Sequence, residues 1–152
     1  MPRLLNECPV YNKNRRQLAW QKRRDFLNAF EACRLQAKRA GLQLNTIELC
    51  KMAAMQPAPR FYLEAKRAMK MYNLYKSGEC CIRHEEKRKM FAEIFARYEK
   101  AMESVSENNK HRLSMTIMEK VLQQQAPSFY YDEDSAVKMY YRIMSDRRYY
   151  NI

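Results

Sequence analysis

From about Arg16 to Ala40 the apolar residues Ala19, Phe26, Phe30, Cys33 and Ala37 recur at three- and four-residue steps or their multiples. That spacing predicts an amphipathic helix, which Gly41 closes. Asn45, with Glu48 three residues on, predicts a capping box opening a second helix near Thr46. Ile47, Leu49, Cys50, Ala53 and Ala54 would supply its apolar side. Pro57 and Pro59 stop it, since proline has no N–H and restrains the residue before it. Only a turn or so of helix fits Arg60-Phe61-Tyr62. A closing helix then carries Ala65, Ala68, Met69, Tyr72 and Leu74 or Tyr75, ending at Lys76-Ser77-Gly78.

The chain then retraces this path. Ala58-Pro59-Arg60-Phe61-Tyr62 returns as Ala126-Pro127-Ser128-Phe129-Tyr130, and Ala68-Met69-Lys70-Met71-Tyr72 as Ala136-Val137-Lys138-Met139-Tyr140, 68 residues later in both cases. Lys22-Arg23-Arg24-x-Phe26 returns as Lys87-Arg88-Lys89-x-Phe91. A repeat of this length implies one structural unit used twice. In the second copy Phe91, Phe95, Tyr98 and Met102 mark the first helix, and a polar stretch, Ser104 to His111, replaces the Gly41 turn. Ser114 stands where Thr46 stood, ahead of Met115, Ile117, Met118, Val121 and Leu122. Asp132 is placed to cap a last helix buried through Val137, Tyr140, Tyr141 and Met144. The expectation is an all-α protein with a leader over 1–14, a first helical unit over 15–79 and a second over 80–152. The two tandem units would pack as a small bundle, with Arg147 to Ile152 frayed or held by a partner.

Composition agrees with helices: two glycines and five prolines leave little punctuation for strands, and Met, Leu, Ala, Lys, Arg, Glu and Gln abound. The formal net charge is +12, a balance that attracts polyanions. Residues 1–79 hold 16 Lys/Arg against 6 Asp/Glu, and residues 80–152 hold 13 against 11, so the excess falls on the first copy. Five cysteines without regular spacing suit a reducing compartment. With no apolar signal core and no apolar run of membrane-spanning length, a cytoplasmic protein without membrane contact is expected.

A supporting helix, a short turn and a brief second helix ending in an aromatic make the outline of a helix-turn-helix. Ala53-Ala54-Met55-Gln56-Pro57-Ala58-Pro59-Arg60-Phe61-Tyr62 resembles that part of Tet-repressor-type DNA-binding domains, with Ala54 at the packing alanine and Tyr62 at the tyrosine closing the recognition helix. Met55 stands where that family has a turn glycine, and Pro57 and Pro59 where its recognition helix begins. The resemblance does not extend to that family's large ligand-binding domain, so it implies DNA binding, and ligand-controlled repression is not carried over. The Ala-Pro-x-Phe-Tyr pattern also resembles small uncharacterised proteins of gut bacteria and their phages.

On that basis the expected partner is double-stranded DNA. Lys22, Arg23, Arg24, Lys66 and Arg67 would meet phosphates, while Arg60 faces either base edges or solvent. Phe61, Tyr62, Phe129 and Tyr130 read as a structural corner. In the second copy Ser128 replaces Arg60, and Asp132-Glu133-Asp134 suits a helix start, where carboxylates oppose the dipole favourably. Cys80-Cys81-x-x-His84 lacks the second ligand pair of a tetrahedral zinc site and reads as a linker. The eleven tyrosines mostly keep helical spacing, as partly buried rings would. No glycine-rich phosphate loop or nucleophile motif is present. The chain reads as a non-enzymatic binding protein without cofactor, acting in regulation or with a mobile element or phage. The alternatives are RNA binding, or an assembly component whose basic face meets an acidic protein or a further copy of itself.

Overall fold

The computed structural model of the chain describes residues 13–150. These are all-α, in six helices: α1 (Lys13–Arg39), α2 (Thr46–Ala54), α3 (Ala65–Lys76), α4 (Glu85–Glu103), α5 (Glu107–Leu122) and α6 (Glu133–Tyr150). Extended structure among the described residues amounts to one isolated antiparallel bridge, Ala58 to Ala126. The expected leader lies outside the described residues but for Lys13 and Asn14, which open α1, and α6 takes in most of the expected tail.

Local signals act where the sequence places them. The Asn45 side chain accepts from the Glu48 N–H (2.8 Å), and Glu48 accepts from the Asn45 N–H (3.1 Å), completing the capping box. Asp132 caps α6 by accepting from the Ser135 N–H at 2.7 Å. Gly41, at φ +72°, lets the Leu42 N–H reach back to the Ala37 carbonyl at 2.9 Å, a left-handed closure of α1 that favours glycine.

Three expectations are corrected. Residues 57–64 form no short helix; Ala58 sits in the bridge, 59–60 bend and 61–64 have no regular structure, as Pro57 and Pro59 disfavour helix in the residues before them. The polar stretch from Ser104 is not a loop as far as His111: α5 begins at Glu107, because no glycine or proline interrupts it and Lys110 pairs with Glu107 at 2.8 Å. The buried face of α6 is carried by Ala136 and Ile143, while Tyr141 is 57% exposed. Small Ala136 allows close approach, and tyrosine keeps its hydroxyl near water.

The helices sort into two compact units that cut across the sequence copies. One comprises α1, α2 and α6; the other comprises α3, α4 and α5. The chain leaves the first unit after Tyr62 and re-enters it at Ala126. At the offset of 68, α3 and α6 are equivalent, so each copy's closing helix belongs to the unit built on the other copy's first two helices.

In the first unit α1 buries Phe26, Leu27, Phe30 and Cys33, α2 buries Leu49, Cys50, Ala53 and Ala54, and α6 adds Ala136 and Ile143. Burying one Phe or Leu side chain contributes about 1.5–3 kcal/mol. Phe61 and Phe129 complete this core. In the second unit Phe91, Ile94, Phe95 and Tyr98 of α4 are buried, with Met118, Val121 and Leu122 of α5 and Ala68 of α3. Tyr72 and Tyr75 of α3 pack their rings on Phe95, at 5.5 and 5.0 Å between centroids.

Candidate nucleic-acid interface

The two copies of Ala-Pro-x-Phe-Tyr lie together in the first unit and pair with each other. The Ala58 N–H donates to the Ala126 carbonyl at 2.9 Å, and the Ala126 N–H donates to Ala58 at 2.8 Å. The aromatic rings repeat this reciprocity: Phe61 stacks on Tyr130 and Tyr62 on Phe129, each at 6.3 Å between centroids. Phe26 of α1 packs nearly perpendicular to Phe129, 5.7 Å between centroids. Phe61, Tyr62, Phe129 and Tyr130 are thus one joint corner rather than two separate ones. The copies differ in backbone, since Tyr130 adopts a left-handed φ of 55°, a conformation costing a non-glycine residue about 1–2 kcal/mol. The Ser128 hydroxyl, standing where the first copy has Arg60, accepts from the Tyr130 N–H at 3.1 Å and supports that turn.

The expected phosphate contacts divide between the units. Lys22, Arg23, Arg24 and Arg60 belong to the first; Lys66 and Arg67 are exposed on α3 in the second. Lys22 is half-buried, its ammonium 4.2 Å from the ring centroid of Tyr131 and 5.9 Å from that of Tyr62. Arg23 reaches Asp146 of α6 at 3.9 Å. Arg24 is exposed, with its guanidinium 5.6 Å from the Trp20 ring centroid. Arg60 turns back on the chain, and its Nε donates to the Phe61 carbonyl at 3.1 Å. The residue expected to face either base edges or solvent is thereby engaged with the corner's own backbone.

Beside these cations lies a half-buried pair of phenols, Tyr62 and Tyr131. The Tyr62 hydroxyl donates to Asp25 at 2.5 Å. Burial first, and then this carboxylate, hold the Tyr62 phenol far above its ordinary range. Burial also raises the Tyr131 phenol, against the opposing pull of Arg23 and Arg142. Its ring packs edge-on against Phe26 at 5.3 Å. Asp25, Tyr131, Arg142 and Asp146 had no motif to announce them. The signal for the last three lay in the differences between copies, where Leu63, Leu74 and Gly78 hold the equivalent positions.

Charge follows the units less steeply than the copies. Over the described residues the first unit holds 15 Lys/Arg against 7 Asp/Glu, and the second 13 against 9. Helix α1 alone holds nine Lys/Arg against two carboxylates, Asp25 and Glu31. Its first turn contains no acidic residue, and Arg15, Arg16, Lys38 and Arg39 are exposed and in no salt bridge among the described residues.

Among the described residues no three His, Cys, Asp or Glu are grouped to hold a metal ion, and no helix is long and apolar enough to cross a membrane. Cys80 and Cys81 are free thiols in the segment between α3 and α4, and Cys8 lies outside the described residues. Compared with models of known protein families, with curated proteins and with solved structures, the chain matches none.

Proposed function

We propose that this protein binds double-stranded DNA without catalysing a reaction, through phosphate contacts made by α1 of the first unit. The observation that carries this reading is the charge at the start of α1. Arg15 and Arg16 lie in or beside a first turn without carboxylates, where the helix dipole opposes positive charge by about 0.3–1 kcal/mol per group. Lys38 and Arg39, at the other end, are favoured by the same dipole, so folding accounts for them and not for the arginines. A polyanion accounts for both. Because residues 57–64 form no recognition helix and Arg60 is tied to the Phe61 carbonyl, the proposed contacts are to the phosphate backbone and none is to a base. Lys66 and Arg67, exposed on α3, would offer phosphate contacts of the second unit by itself. The setting inherited from the sequence is cytoplasmic, in regulation or with a mobile element or phage.

Titrating a labelled duplex by fluorescence anisotropy tests this. Affinity is expected to fall linearly on a log–log plot against salt, with a slope of about 0.9 per phosphate neutralised. Absence of binding in low salt defeats the reading. A second reading, an assembly component with an acidic protein partner or a further copy of the chain, draws on the first unit's exposed Leu35, Leu42, Ile47 and Met55. A further copy held by these apolar residues predicts affinity that depends little on salt, because apolar contact area is not screened. An acidic partner on the basic face would be as salt-sensitive as the duplex and is told apart by capture of a protein.

A further inference from the structure

Within the first unit, three segments bring Lys22 and Arg23 of α1, Tyr131 beside the second corner, and Arg142 and Asp146 of α6 into one cluster. Asp146 receives Arg23 at 3.9 Å, a long contact. Arg142 precedes Asp146 by four residues, hence on the same face of α6 and one turn away. Tyr131 lies under the Lys22 ammonium at 4.2 Å, and its phenol feels the charge of both arginines. Three cations thus converge on a half-buried ring; of the carboxylates near them, Asp146 meets Arg23, and Asp132, next to Tyr131 in the chain, caps α6. Asp25 is occupied in accepting the Tyr62 hydroxyl.

We infer that Arg23, Arg142 and the Tyr131 hydroxyl form a seat for one backbone phosphate of the bound duplex, with Asp146 as a built-in competitor for Arg23. The seat deepens the proposed function and rests on it. Guanidinium groups offer planar, directional donors that match phosphate oxygens, and a phenolic hydroxyl adds a neutral one. The repeat supplies an internal control. The positions equivalent to Arg23, Tyr131, Arg142 and Asp146 are Arg88, Leu63, Leu74 and Gly78. Three of the four functional groups are therefore missing from the second unit. A cluster needed only for folding would be expected in both units; this one is confined to the unit with the greater positive charge.

The test is the salt dependence of duplex affinity for the full chain and four variants. Arg142→Gln and Arg23→Gln should each make the log–log slope shallower by about 0.9, equivalent to about 3.5-fold less loss of affinity over a four-fold rise in salt. Tyr131→Phe should weaken binding roughly two- to ten-fold, the range for one hydrogen bond, and leave the slope unchanged. Asp146→Asn should tighten binding roughly two- to five-fold, the range for a partly exposed ion pair. Circular dichroism melts show whether each variant is folded. Arg142 is exposed, so its variant carries the decision if Arg23→Gln unfolds. A wild-type slope near zero overturns the DNA reading and the seat together. A steep wild-type slope that Arg142→Gln leaves unaltered overturns the seat alone. So does displacement of the duplex by polyglutamate at equal charge concentration, because it would show a site indifferent to phosphate.

Discussion

Phe129→Ala separates the two ways of dividing this chain. The Phe129 ring is 2% exposed, stacks on Tyr62 at 6.3 Å and packs nearly perpendicular to Phe26 at 5.7 Å. Removing such a ring costs about 3–5 kcal/mol, the lost transfer energy plus the cavity left behind. The main-chain bond from the Phe129 N–H to the Ala54 carbonyl (3.0 Å) does not depend on the ring and should survive. If the unit of α1, α2 and α6 opens as one piece, that loss lowers amide protection throughout it. At about 1.4 kcal/mol per tenfold, the drop is roughly two to three and a half orders of magnitude. Hydrogen exchange followed by mass spectrometry reads this directly. Peptides from α1, α2 and α6 should exchange faster together, and those from α4 and α5 should change much less. If Phe129 served only its own sequence copy, α4, α5 and α6 would lose protection while α1 and α2 kept theirs. That pattern would falsify the exchange of closing helices.

Asn45→Ala should destabilise the protein by about 1 kcal/mol, because the capping box loses its acceptor for the Glu48 N–H; denaturant titration checks it. Lys51→Ala should cost under about 1 kcal/mol although Lys51 and Glu133 are 2.9 Å apart, since both side chains are about half exposed. Alkali should unfold the protein. Tyr72 is pushed up to about 12 by burial and by Glu99, and burial also raises Tyr62 and Tyr131. Each phenol ionises more readily in the unfolded chain, near 10, so its contribution is complete below that pH and is lost as pH rises through the folded value. Melting temperatures taken across that window should fall, and Tyr72→Phe should reduce the fall.

Helix ends and buried stripes were legible in the sequence because their causes are local. The Asn45–Glu48 box, the Asp132 cap, the Gly41 closure and the prolines after α2 each act within about one turn. Phe26, Phe30, Cys33, Leu49 and Phe95 all fell on their expected faces. The early start of α5 was obscured because Ser104 to His111 is polar, although polar residues alone do not break a helix. Arg60 was readable as a charge but not as a donor to the Phe61 carbonyl. That contact depends on the bend at residues 59–60, which no residue pattern spells out.

What no local signal could supply is the choice of closing helix, and that choice decides which chemistry meets α1. Reading 15–79 as self-contained sets Lys66 and Arg67 beside Lys22, Arg23 and Arg24, and yields one strongly basic face. With α6 in that unit, the equivalent positions carry Asp134 and Ser135, and Glu133 pairs with Lys51 instead. The unit's excess charge then rests on α1, while α6 contributes Arg142 and an acid, Asp146, that meets Arg23. Both closing helices satisfy the same apolar pattern at Ala68 and Ala136, so hydrophobic spacing cannot discriminate between them. The polar residues do differ: Leu63, Leu74 and Gly78 became Tyr131, Arg142 and Asp146. Those substitutions have a use only where α6 meets α1. The exchange thus turns a near-symmetric repeat into a molecule with one distinctive basic and phenolic cluster, and differences between the copies are where its recognition chemistry should be sought.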